Sequence, residues 1–147
     1  MKLDKSDLNA IAIIILNIAL LLHSCKAHSY PLTPTVQGSR CTESDPDFKE
    51  IRYPEQIPLC FRHVPTPRKI EVCKRDGVED RKDFTVDHLV PLSMSGSNHS
   101  DNLWCQHKSI NVTHEEYTTY IKLREGEITS EDAIQYILDL KFNRIQQ

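Results

Sequence analysis

The segment from Phe84 to Trp104, FTVDHLVPLSMSGSNHSDNLW, decides how this chain is read. Phe84 to Leu89 is a β-prone run that Pro91 ends, Ser93 to Asp101 is a loop rich in Ser and Asn around Gly96, and Leu103 to Gln106 is a short second strand. Asp87 and His88 stand side by side at the end of the first strand. A purely structural strand more often continues with Val, Ile or Thr than with two groups that are costly to bury. From about Val112 the spacing predicts a helix, because Tyr117, Tyr120, Ile121 and Arg124 share one face and Gly126 supplies a C-terminal stop. Strand, loop, strand and helix make a ββα hairpin, which gathers an aspartate, a histidine and two asparagines, Asn102 and Asn111, at one end.

These residue types divide into roles. Asp87 and the side-chain carbonyl of Asn111 are hard oxygen donors, suited to a magnesium-like ion that keeps several waters. Alternation along a strand turns His88 away from Asp87 and toward an attacking water, and an unperturbed pKa near 6.5 suits a general base. Asn102 is placed to cross-link the loop backbone and to orient the His88 ring. His114, beyond Asn111, is a further candidate as ligand or phosphate contact, whereas His99 and His107 read as exposed loop residues and Trp104 as a core anchor.

V-D-H-L-V-P-L, then S-G-S-N, N-L-W and an Asn nine positions after Asn102 resemble the HNH endonucleases of the ββα-metal fold. The similarity continues through Glu116, the Arg124 to Thr129 turn and the Ala133 to Leu140 helix, which resemble the C-terminal part of small bacterial HNH nucleases. It spans roughly Pro58 to Leu140. The resemblance implies an α+β domain with a ββα-metal core and metal-dependent cleavage of DNA. Asp87 and Asn111 would then be metal ligands, His88 the general base and Asn102 a brace. The ion implied is Mg2+, with Mn2+ as an alternative, and RNA is an alternative substrate. One glycine, Gly96, stands where the family commonly has two, Asn111 stands where histidine is common, and the zinc-binding cysteine pairs of many relatives are absent.

At 147 residues the chain has room for one domain and one modest core. Residues 1–27 read as a signal peptide, since Lys2 and Lys5 precede an apolar run from Ala10 to Leu22 that is shorter than the roughly 20 residues needed to span a bilayer. Leu22-His23-Ser24-Cys25 also resembles a lipoprotein cleavage box, an alternative to cleavage after Ala27. Residues 28–57 read as an extended, proline-rich arm without chemistry of its own, and 58–147 as the nuclease domain. Leu59 to Val64 and Lys69 to Lys74 are expected as strands separated by Pro65-Thr66-Pro67. Thr129 is expected to cap a last helix, with Ile134, Ile137, Leu138, Lys141 and Ile145 as its inner stripe and Lys141 along the edge.

Cys41, Cys60, Cys73 and Cys105 would form two disulfides in an oxidising compartment. Three connectivities are open, with Cys60 to Cys73 preferred for its short loop. A net charge of -3 gives no global positive field, so any polyanion is held locally, through the strip Arg62, Arg68, Lys69, Lys74, Arg75, Arg81, Lys82 and Lys108. Asn98-His99-Ser100 and Asn111-Val112-Thr113 match the glycosylation pattern, and a glycan on Asn111 would block the site, which favours a bacterial exported protein. Two other classes also fit: a catalytically inactive HNH-like module that binds nucleic acid or protein, and a disulfide-stapled secreted interaction protein. Whether an immunity or inhibitor protein exists is not written in the sequence.

Overall fold

The computed structural model describes residues 34–145, so the expected signal segment and Cys25 lie outside the described residues. The fold is α+β. Strands β1 (Phe48–Arg52) and β2 (Ile57–Cys60) form one antiparallel pair, and β3 (Phe84–His88) and β4 (Leu103–His107) form another. Helix α1 (Thr66–Arg75) joins the two pairs, a single 3-10 turn (Leu92–Met94) lies in the β3–β4 loop, and helices α2 (Thr113–Arg124) and α3 (Ser130–Ile145) follow β4.

The β3–β4 hairpin is nearly as the sequence predicts. Its register pairs Val86 with Cys105, Asp87 with Trp104 and His88 with Leu103. Alternation therefore gives the hairpin two different faces. On one, Phe84, Leu103 and Cys105 pack with Val72, Cys73 and Val78 from α1 and its end. On the other, Trp104 packs with Leu89, Ile110, Leu138 and Ile145, so α3 lies against this face. A further cluster of Ile57, Met94, Val112, Leu123, Ala133 and Ile137 ties the first strand pair to α2 and α3.

Three expectations are corrected. Lys69 to Lys74 is not a strand but the body of α1. Pro65 caps this helix with extended backbone and Pro67 sits in the first turn, where its missing N–H costs nothing. The helix ends in a Schellman motif: the Val78 N–H bonds to the Cys73 carbonyl and the Gly77 N–H to the Lys74 carbonyl, with Gly77 at φ 76°. The 28–57 arm is not loop throughout, because Phe48–Arg52 pairs with Ile57–Cys60, and the boundary expected at 57/58 falls inside β2. Last, the disulfides join Cys41 to Cys60 and Cys73 to Cys105, not Cys60 to Cys73. Because Cys73 is on a helix stacked on β4, its sulfur faces the hairpin and not the strand it follows.

The two bridges close 19 and 32 residues of chain, and restricting the unfolded chain in loops of this size is worth about 3 kcal/mol each. Alkylation without reductant should leave all four of these cysteines protected, and Cys73→Ser with Cys105→Ser should lower the unfolding free energy by roughly 3 kcal/mol. Free thiols at these positions in freshly isolated protein would contradict the pairing.

Candidate functional site

Both members of the Asp87–His88 pair are held, on opposite faces of β3. His88 is buried, at 2% exposure, and its Nε2 lies 3.0 Å from the Oδ1 of Asn98. An amide oxygen only accepts, so Nε2 carries the proton and donates. That leaves Nδ1 of the neutral ring as an acceptor, and Nδ1 is a buried atom without a hydrogen-bond partner. Burial lowers the His88 pKa, with Arg62 and Lys141 adding to the effect and Asn98 and Asp87 opposing it. The ring is therefore neutral near neutral pH, with one unused lone pair.

Asn102 is the loop brace. It is fully buried, its Oδ1 accepts from the Val90 N–H at 2.8 Å, and its Nδ2 donates to the carbonyls of Val90 and Ser97 at 3.0 and 2.8 Å. No hydrogen bond joins it to the His88 ring, which is bonded to Asn98. The braced loop turns sharply. A Cβ added to Gly96 would come within 1.9 Å of the Val90 carbonyl oxygen, so only glycine fits there. Ser95, beside it, takes the left-handed conformation at φ 69°.

Asp87 faces α3, where a lysine meets it. Lys141 is fully buried, and its Nζ lies 2.7 Å from Asp87 Oδ2, 2.9 Å from Glu116 Oε1 and 2.7 Å from the His88 carbonyl oxygen. The sequence placed Lys141 at the edge of its stripe; instead it is the cation at the centre of a carboxylate pair. Burial raises the Glu116 pKa, an effect Lys141 offsets in part and Asp87 reinforces, while the Arg62 charge acts on both Glu116 and His88. Arg62 is exposed on the segment after β2. A cleft of about 390 Å³ opens beside Glu116, lined also by Ser93, Thr113, Tyr117 and Tyr120.

The other expected residues are placed differently. Asn111 is exposed just before α2; its Oδ1 accepts from the Thr113 N–H at 2.9 Å, and its carbonyl accepts from Arg144. His114 is exposed in the first turn of α2. Neither is joined to Asp87 or His88 by a hydrogen bond; Glu116, two residues after His114 in the same turn, is joined to Asp87 through Lys141. The sequence named Glu116 only as part of the family likeness, and Lys141 only as part of a stripe. As a donor set, two carboxylate oxygens facing one space suit a hard divalent ion, and the Lys141 ammonium already supplies one positive charge between them.

Two other features are committed elsewhere. Cys41, Cys60 and Asp45 lie close enough to hold a metal, but the two sulfurs are bonded to each other and Asp45 pairs with His99. Part of the basic strip is structural: Arg68 donates to the Asn98 carbonyl, and Arg75 to Asp76 and the carbonyls of Ser100 and Leu103. Arg62, Lys69, Lys74, Arg81 and Lys82 are exposed around it. No helix of the described residues is long and apolar enough to cross a membrane.

No family model, no curated protein and no solved structure matches the chain.

Proposed function

We propose that the protein is an exported, metal-dependent endonuclease that hydrolyses DNA phosphodiester bonds with little sequence preference, built on a ββα-metal core of the HNH type. The observation that carries this reading is the neutral His88 with an unpaired Nδ1 lone pair, next in the chain to Asp87 of a carboxylate pair but on the opposite face of β3, in a strand–loop–strand–helix unit. His88 takes a proton from the attacking water at Nδ1, and Asn102 keeps the loop that frames it in place. Asp87 would hold Mg2+ or Mn2+, with Glu116 and Asn111 as further oxygen donors; when bound, such an ion supplies charge stabilisation at the phosphate and the leaving oxygen. Lys141 holds the Asp87 and Glu116 carboxylates toward one another, and Arg62 and the exposed lysines give a sequence-independent hold on phosphates. RNA offers the same phosphates. Two disulfides fit an oxidising compartment and so support export.

A second reading, a catalytically silent HNH-like binding module, is favoured by one observation: Lys141 already compensates both carboxylates. Plasmid cleavage by the purified, oxidised protein separates the two. The nuclease reading expects nicking and linearisation with Mg2+ or Mn2+, abolished by chelator and weakened steeply by salt as counterions compete for the phosphates. DNA binding without metal-dependent cleavage would establish the second reading.

A further inference from the structure

We infer that Asp47 and Asn98 form a relay that positions His88, fixing its proton on Nε2 and presenting the Nδ1 lone pair as the base. The inference rests on the nuclease reading for the use of that lone pair; the relay itself is visible in the hydrogen bonds.

Asn98 is buried and each end of its amide is committed. Its Oδ1 accepts from His88 Nε2 at 3.0 Å and from the His63 N–H at 3.3 Å. Its Nδ2 donates to the Phe61 carbonyl at 2.6 Å and to Asp47 Oδ2 at 3.1 Å. Turning the amide over would set its N–H groups against the His63 N–H and its oxygen against a carbonyl and a carboxylate. The amide polarity is thus locked, and a neutral imidazole facing its oxygen must donate from Nε2. Asp47 shares in this lock with the Phe61 carbonyl and the His63 N–H, and its other oxygen lies 3.0 Å from His63 Nδ1.

Asp47 is held in turn. Its carbonyl accepts from the Phe61 N–H at 2.8 Å, and Cys60, the residue before Phe61, is bridged to Cys41. The segment expected to carry no chemistry therefore supplies the carboxylate at the end of the chain Asp47–Asn98–His88. When water gives its proton to Nδ1 and its oxygen bonds to phosphorus, the P–O bond to the leaving oxygen breaks. The imidazolium keeps its Nε2–H on Asn98 and hands the Nδ1 proton to a water that enters as the product leaves, while the leaving oxygen takes a proton from solvent.

Nitrogen-resolved NMR of the His88 ring at neutral pH, with steady-state cleavage, tests the relay in the oxidised protein. Wild type should show the Nε2-protonated tautomer alone. Asn98→Ala should mix the tautomers and lower kcat with KM unchanged, by about 10- to 100-fold, the range seen when the partner orienting a metal-bound histidine is lost. Asp47→Asn keeps the shape, covers the case of an unfolded Asn98→Ala, and should lower kcat in the same direction. An Nδ1-protonated ring in wild type, or wild-type tautomer and kcat in the folded variants, would overturn the relay. If wild type cleaves nothing, the nuclease reading fails and the tautomers alone decide the relay.

Discussion

Lys141→Met is expected to lower the unfolding free energy by about 3 to 5 kcal/mol, the cost of leaving buried charges without their partner. Among the described residues no other cation is bonded to these groups: the Nζ reaches Asp87, Glu116 and the His88 carbonyl from one fully buried position. Methionine fills the space of the stem but returns neither the charge nor the hydrogen bonds. Two carboxylates then face each other without compensation. Glu116→Gln in the same chain should recover part of the loss, because it removes one of them, and the double variant should cost less than the two single ones together. Manganese or magnesium should restore more stability to Lys141→Met than to wild type, because an ion that takes over the carboxylates binds the folded state alone; at 100 times its Kd this is worth about 2.7 kcal/mol. Urea unfolding of the four proteins with and without metal measures all of this. Unchanged stability in Lys141→Met would mean that the buried ammonium contributes no net free energy.

That cluster also shows where reading the sequence stops. The β3–β4 hairpin was legible to within a residue, because its β-prone run, its Pro91 stop and its polar loop all agree. Helices α2 and α3 were legible for the same reason: apolar spacing, the Gly126 stop and the Thr129 cap point one way, and Thr129 does accept from the Asp132 N–H. Helix α1 was not, because Ile70 and Val72 alternate as a strand would, and only the position of Pro67 in a first turn distinguishes the two. Strand β1 was hidden by a register shift between Phe48 and Glu50 that breaks alternation. Lys141 sits in a stripe the sequence reveals, but its partners come from β3 and α2, and periodicity along one helix says nothing of what lies opposite. Asn98 had a sequon and a loop composition to its name; its role depends on Asp47, in a segment whose composition reads as plain loop.

The second large effect separates the two residues of the opening pair. His88→Ala should lower the cleavage rate by about 10² to 10⁴, the usual contribution of a general base, while leaving metal affinity nearly unchanged, because the ring is bonded to Asn98 and lies on the face away from Asp87. Asp87→Ala should instead weaken metal binding, so that part of its activity returns at high metal concentration. It also frees Lys141 from one partner, so its thermal stability is measured alongside. The pH dependence follows from the direction of the His88 shift. Burial lowers its pKa, so the ring is already neutral at pH 7; activity should be on its plateau there and fall only as acid protonates Nδ1. Isothermal titration with manganese and plasmid cleavage on both variants read these effects. If His88→Ala abolished metal binding, and excess metal then restored its full activity, His88 would be a ligand and the free Nδ1 would be its donor atom, with the base to be sought elsewhere in the site.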